Sequence, residues 1–312
     1  MTMRRLRLGA FTAGIDVEDG PVADFVHRIT DAGSAGGPTH RVLVRRAGGA
    51  RLVVDDDRRL ITLTPPAGAV EHTVLIGVLQ AVTRGVAYLE RAAGSHALLH
   101  GSVFTVAGGA GVAVLDGGLG QGKTSLALAL ARDHGHLLVD EFAFTHTTRS
   151  DLLLSAAPTL PWHVRADMAP YTAPSLGATR LRYPDDLRDV AATAPHDAPL
   201  RLILIPDRGI PAGQVEPVGE AHARLLLRSA VTDHLAKLAN PALDHVSIFT
   251  GVQDVVDPTG RPLAHQPLPA EGTGGVLRQL AAVPAYRVGI GAPADLPASV
   301  TAASAALATV TP

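Results

Sequence analysis

Cysteine is missing from this chain, which excludes disulfides, thiolate zinc sites and a cysteine nucleophile. Aromatic residues make up only 4% of it, so the core has to be assembled from Leu, Val, Ile and Ala. Lysine is almost absent: Lys123 and Lys237 stand among 27 basic residues, and the rest are arginine. No charge of one sign accumulates, since the formal net charge is −2 with acids and bases interspersed. No basic face or tail therefore argues for nucleic acid, and no polybasic arm argues for a membrane. Long apolar runs are lacking too. Residues 202–205 and 302–308 are far too short to span a bilayer, and the arginines of MTMRRLRLGAFTAGIDVEDG precede no long apolar stretch, unlike a signal peptide. A soluble cytoplasmic protein is the expectation. At 312 residues the chain can bury a sizeable core, as one large or two smaller domains.

What is present centres on residues 111–141, GVAVLDGGLGQGKTSLALALARDHGHLLVDE. The apolar run from Val112 to Asp116 is short enough to be a buried strand. Residues 124–132 repeat apolar side chains without a breaker, as a buried helix would. Between them, Gly117, Gly122, Lys123 and Thr124 supply G-x-x-x-x-G-K-[ST] in the strand–loop–helix context of a P-loop. Glycines let the backbone curl so that successive N–H groups point at one phosphate, with the positive end of a helix behind them. The expected cradle is Gly117, Gly118, Leu119, Gly120, Gln121 and Gly122, followed by Lys123, Thr124 and Ser125. Lys123 would reach the β- and γ-phosphates, and the Thr124 hydroxyl could ligate Mg2+. The bland alternative is a glycine-rich turn that happens to hold a lysine. Against it, one of only two lysines sits where the pattern requires one. The expected ligand is a nucleoside triphosphate.

Residues 136–139 read as a second buried strand running into Asp140 and Glu141. Acids there serve P-loop proteins as ligands of Mg2+ or of its water, and one of them could accept a proton from an acceptor hydroxyl. An ordinary acidic turn is the bland reading. Which acid does which job stays open.

The remainder is read in chain order. Residues 4–11, 41–45, 51–55 and 60–64 read as short strands, with a possible short helix over 21–30. Asp55, Asp56 and Asp57 read as a solvated turn, and neither they nor His40 are given a role. Residues 70–92 read as an amphipathic helix with Val74, Val78, Val82 and Leu89 near one face. A β-rich N-terminal region with this bridging helix over 1–95 and a core domain over 96–312 are expected. Residues 97–106 read as a strand that turns at 108–111 into the P-loop strand. His100 lies on it, and a histidine there is by itself more often structural. Residues 142–154 read as a hairpin turning at 145–150. The irregular stretch 155–199 reads as a functional loop or lid; its His163, Arg165, Arg180 and Arg182 could clamp phosphate, and Trp162 and Tyr171 could stack on a base. Residues 201–206 read as a central strand and 218–238 as a helix burying Leu225, Leu226, Leu227 and Leu235. Loop-rich segments over 240–249 and 251–271 follow, then a helix over 274–282, a strand over 284–289 and a helix over 294–310. Strands alternating with helices after residue 96 argue for an α/β core.

The order Leu99-His100-Gly101, hairpin, P-loop, LALAL and GHLLVDE (135–141) resembles the HPr kinase/phosphorylase family and its HPr-kinase-like serine kinase relatives. VPAYRV (283–288) also looks like the closing strand of the smaller relatives. The resemblance covers about residues 95 to 290, and its specific motifs end at Glu141. It implies an α/β P-loop core with a mixed sheet of the HPr kinase/PEP carboxykinase type. His100 would match the family histidine near the transferred phosphate, Lys123 and Thr124 the nucleotide and Mg2+ contacts, and Asp140 and Glu141 the acidic pair, one of them the general base. The family's base is usually the second acid, here Glu141, while Asp140 keeps the aspartate identity. The chain departs from the pattern at Leu119, where a serine or threonine is usual, and at Glu141, where aspartate is usual. It also lacks the long glycine-rich signature with which true HPr kinases dock HPr. Relatives encoded beside peptide and natural-product biosynthesis genes make a tailoring kinase the analogy; the true HPr kinases are hexamers, which makes a homo-oligomer an expectation.

Two functions follow. The first is an ATP- and Mg2+-dependent kinase acting on a hydroxyl of a peptide, protein or natural-product intermediate. The second is a nucleotide-binding regulatory or accessory protein with little or no transfer.

Overall fold

The computed structural model describes residues 3–17, 21–30, 37–45, 49–69, 71–92, 94–115, 122–139, 142–148, 151–155, 161–163, 181–182, 192–193, 197–244, 254–265 and 274–310. In chain order they form β1 (Arg4–Leu8), β2 (Phe11–Val17), α1 (Pro21–Ile29), β3 (His40–Val44), β4 (Arg51–Asp55), β5 (Leu60–Thr64) and α2 (Glu71–Leu89). Next come β6 (His96–Val106), β7 (Gly111–Leu115), α3 (Lys123–His134), β8 (Gly135–Val139), β9 (Phe142–Thr147) and β10 (Leu152–Ser155). Three two-residue strands follow: β11 (Trp162–His163), β12 (Leu181–Arg182) and β13 (Ala192–Thr193). The chain ends with β14 (Ala198–Asp207), β15 (Val215–Pro217), α4 (Glu220–Ala239), β16 (Val255–Val256), α5 (Gly274–Ala281), β17 (Ala285–Gly289) and α6 (Leu296–Leu307). This is a mixed α/β protein with more than one sheet. Its contacts divide it into two compact units, Met1–Leu98 with Val231–Gly274, and Leu99–Ala230 with Gly275–Pro312.

The first unit is built on a six-stranded sheet of order β1-β2-β3-β5-β4-β16. Alternation decides its buried face. Leu6, Leu8, Ala13, Ile15, Val42, Val44, Leu52, Val54, Ile61 and Leu63 all lie inside, one from every second position, as period two requires. Helices α1 and α2 pack on this sheet, and α2 contributes the fully buried Val78, Val82 and Val86. Residues 4–11 are two strands' worth of chain and not one, because Leu8 pairs with Phe11 across Gly9 and Ala10. The loop-rich stretch after residue 251 contains β16, which pairs in parallel with Leu52 and Val53.

His40 is 1% exposed in this unit. Thr39 Oγ1 donates to the Thr12 carbonyl at 3.1 Å and accepts the Thr12 N–H. The same hydroxyl lies 2.9 Å from His40 Nδ1. Nε2 lies 2.9 Å from Glu90 Oε1 and 3.0 Å from Arg59 Nη2, and Arg59 pairs with Glu90. Burial, then the Arg59 charge, lower the imidazole pKa from 6.5 to about 4. A histidine whose folded pKa is depressed prefers the neutral form when folded. Its contribution is present above pH 6.5 and is lost as pH falls towards 4. Stability should drop by about 2 kcal/mol between pH 7 and pH 5 from this group. Urea unfolding at both pH values measures it, and the difference should largely vanish in His40→Gln; an equal drop in that variant would contradict the assignment.

The second unit carries the other large sheet, of order β13-β8-β6-β9-β10-β14-β17-β15, with β7 paired to both β6 and β14. The pairings β6–β9–β10–β14–β7–β6 close a circuit. Strands β7, β14 and β17 run parallel, and β6 is antiparallel to β7 and β8. Helix α3 is buried nearly all round, from Ser125 through Ala131, which explains its unbroken apolar sequence. It packs with Phe104, Val112, Val114, Leu202, Leu204, Val288 and, from α6, Val300 and Ala303. No loop separates α3 from β8: a Cβ at Gly135 would lie 1.6 Å from the Thr105 carbonyl oxygen, so only glycine fits. The β9–β10 turn is shorter than expected, since Thr145, His146 and Thr147 still pair with β10. In α4, Leu227 and Leu235 are buried, whereas Leu225 is 68% exposed and Leu226 is half-buried. Successive residues turn by about 100°, so Leu225 and Leu227 cannot share a face. Among the described residues no helix is long and apolar enough to cross a membrane.

Candidate functional site

Strand β7 is buried at every residue, held between β6 and β14. Helix α3 begins eight residues after it, at Lys123, and its N-cap is Gly122 with φ 84° and ψ 18°. That left-handed geometry costs an L-residue with a side chain roughly 1–2 kcal/mol. A Cβ at Gly122 would make only an ordinary contact, 3.5 Å from Ile290 Cγ2. Gly122→Ala should therefore lower stability by about 1–2 kcal/mol through backbone strain alone, read as a shift of the urea midpoint; no shift would mean this turn can relax.

The N-cap, Gly122, has no side chain with which to cap α3, and the helix's own first turn holds no acid. Its leading N–H groups cannot bond within the helix, and the cation Lys123, at the end where cations are disfavoured, is only 7% exposed. Ser125 is buried as well, and Thr124 is half-buried. Lys123 and Thr124 both interact with neighbouring groups. The second lysine is accounted for locally, by an ion pair from Lys237 to Asp233 one turn earlier in α4 at 2.8 Å.

Sheet register brings His100 to the same edge. Gly101 pairs with Leu115 and Ser102 with Val114, so His100 stands one residue beyond the ladder, where β7 ends. Val114 faces the α3 cluster, and alternation puts Ser102 and His100 on that face. His100 is 8% exposed and engaged with neighbours. On the other side of β6, Val139 pairs with Val103, which itself pairs with Ala113. Strands β7 and β8 thus run the same way, opposite to β6, and β7 ends beside His100. Of the sequence-predicted residues, Gly117, Gly118, Leu119, Gly120, Gln121, Asp140 and Glu141 lie outside the described residues. So do Arg165, Tyr171 and Arg180 of the 155–199 stretch. Trp162, His163 and Arg182 lie in the paired strands β11 and β12.

No family model matches the chain, and no curated protein matches it. One solved structure that it matches is the Hpr(Ser) kinase/phosphatase from Coxiella burnetii, with 14% identity and a TM-score of 0.27 over 35% of this chain and 63% of that one. The chain therefore spans less than two thirds of that structure's length, and a likeness this slight carries no argument about fold or activity.

Two residues at this edge carry no sequence motif. Ile290, which follows β17, sits against Gly122 and donates its N–H to the Asp207 carbonyl at 3.0 Å. Asp207 ends β14, and its carboxylate accepts from Arg287 Nε at 2.7 Å and from the Gly209 N–H. Burial pushes that carboxyl up, but the Gly209 N–H and Arg287 outweigh it and hold the pKa below the usual value. Only the pairing of β14 with β7 and β17 brings these residues beside α3, and no local spacing records it. Among the described residues, no group of three or more His, Asp or Glu could hold a metal ion.

Proposed function

We propose that this protein is an ATP-dependent kinase that transfers the γ-phosphoryl group to a hydroxyl of a peptide, protein or natural-product intermediate. The observation that carries the reading is the start of α3: a buried lysine, one of two in the chain, opens a helix whose N-cap is glycine and whose own first turn holds no acid. An anion bound at that point offsets both the burial of the cation and the helix dipole. The motif G-x-x-x-x-G-K-T around Lys123 supports a nucleotide phosphate as that anion. Thr124, in the first turn, suits Mg2+, together with Asp140 or Glu141. When bound, Mg2+ neutralises charge on the β- and γ-phosphate oxygens. Lys123 would bind the same oxygens, His100 would lie near the transferred phosphate, and Asp140 or Glu141 would accept the proton of the attacking hydroxyl.

The test is a purified-protein incubation with Mg-ATP and a panel of serine- and threonine-containing peptides, read by mass spectrometry as a gain of one phosphoryl group. Transfer is the expected result. ATP binding with no transfer to any acceptor, water included, would favour the accessory-protein reading instead.

A further inference from the structure

Strands β7, β14 and β17 run parallel and point to one edge of their sheet. The residue that follows β17, Ile290, stands beside the start of α3. Among the described residues, its Cγ2 is the atom nearest to the place that a Gly122 side chain would take, 3.5 Å from the Cβ. One methyl group would fill the space between them. Ile290 is 8% exposed and belongs to the apolar cluster that holds Leu126 and Ala127 of α3.

Backbone bonds fix Ile290 from three directions. Its own N–H donates to the Asp207 carbonyl, at the end of β14, at 3.0 Å. Gly289, before it, donates its N–H to the Gln214 carbonyl at 2.9 Å. The Gly289 carbonyl accepts from Ser299 Oγ of α6 at 2.6 Å, and Ser299 is fully buried. Beyond Ile290, the Ala292 N–H donates to Asp295 Oδ2 at 2.8 Å, which ties the turn to the start of α6. On the α3 side, the Leu126 N–H donates to the Gly122 carbonyl at 2.8 Å. The Gly122 turn is thus bonded into the helix on one side and faces an anchored side chain on the other. Glycine has no side chain of its own with which to hold a left-handed conformation, so a restraint has to come from outside.

Lys123 and Thr124 follow Gly122 directly, so whatever orients that turn orients them and the leading N–H groups of α3. We propose that Ile290 is a positioning residue of the phosphate site: it holds the Gly122 turn in the geometry that receives the phosphates of a nucleotide. This deepens the nucleotide reading and rests on it. Ile290 acts through Gly122 and touches neither phosphate nor metal. The branch methyl Cγ2 is the part that counts, because it is the part that faces Gly122. Valine keeps that methyl, whereas leucine keeps the apolar volume without the branch.

The test measures, on the full chain, the binding of methylanthraniloyl-labelled ATP with Mg2+ and the hydrogen exchange of the Leu126 amide without nucleotide. Ile290→Ala should weaken binding about tenfold or more and speed that exchange by a similar factor. Ile290→Val should bind as the wild type does. Ile290→Leu, a volume-conserving change that the core tolerates, should fold and still bind more weakly than the valine variant. Leu307→Ala is the matched control. It empties a buried position of the same cluster at the far end of α6, where Ser304 Oγ meets His134 Nε2 at the end of α3. It should lower the thermal midpoint and leave both probe affinity and Leu126 exchange at wild-type values. Equal weakening in Ile290→Ala and Leu307→Ala would make Ile290 an ordinary core residue and overturn the proposal. Wild-type affinity in Ile290→Ala would overturn it too. A wild type that fails to bind the probe would overturn the nucleotide reading and this role with it; that failure is distinct, because the others arise only in a wild type that binds.

Discussion

Lys123→Ala is expected to abolish phosphoryl transfer, with a loss of at least about 100-fold in turnover, the scale for removing one preorganised donor from developing charge. The variant should nevertheless fold. Its side chain is 7% exposed, and a truncated stem removes a cation from the helix end where cations are disfavoured. The expected pattern is therefore unchanged or higher thermal stability without nucleotide, together with loss of the stabilisation that Mg-ATP is expected to give the wild type. At ATP 100-fold above its Kd, that stabilisation would be about 2.7 kcal/mol. Full activity in Lys123→Ala would remove the central support for the kinase reading. Separate replacement of Asp140 and Glu141 would then tell base from metal ligand, the base variant losing kcat while keeping nucleotide affinity.

Arg84→Met should destabilise the first unit by about 3–5 kcal/mol. Arg84, in α2, is 5% exposed. Its Nε donates to His234 Nδ1 at 3.1 Å and its Nη1 to Asp244 Oδ2. Gln80 Nε2 donates to the same Asp244 oxygen at 3.1 Å. Asp244 is 4% exposed and His234 fully buried. Removing the arginine leaves the carboxylate buried without its cation, which costs more than the pair contributes. The double variant Arg84→Met/Asp244→Leu should therefore recover most of the loss. Urea unfolding of both proteins decides it: a single-variant cost under about 1 kcal/mol, or no recovery in the double, would contradict the account.

The parts of the fold that are legible in the sequence are those that a short window encodes. Strands β4 and β5 fall at their expected bounds, because alternation and flanking turn residues act within a few positions. Helix α3 is legible from an apolar run that glycines bracket at both ends. The P-loop pattern, with Gly122 at a φ that only glycine adopts freely, is equally local. Leu225 is exposed against expectation, although helical rotation alone separates it from Leu227. The Gly9–Ala10 turn between β1 and β2 is local too, yet the expected single strand over 4–11 runs straight through it.

Nothing in a window announces partners far along the chain. No neighbour in sequence gives His40 a role, and its buried setting comes from Arg59 and Glu90. Arg84 meets groups 150 and 160 residues away, and Leu204 pairs with Val114, a neighbour that no spacing rule could select. The amino-acid sequence by itself determined where strands such as β4 and β5 and helix α3 lie and which stretch carries the G-x-x-x-x-G-K-T pattern, because period, turn chemistry and capping are short-range. Which strands lie side by side, and hence which charges share a face or an edge, was decided only by tertiary structure, because burial of apolar faces selects those pairings across the whole chain.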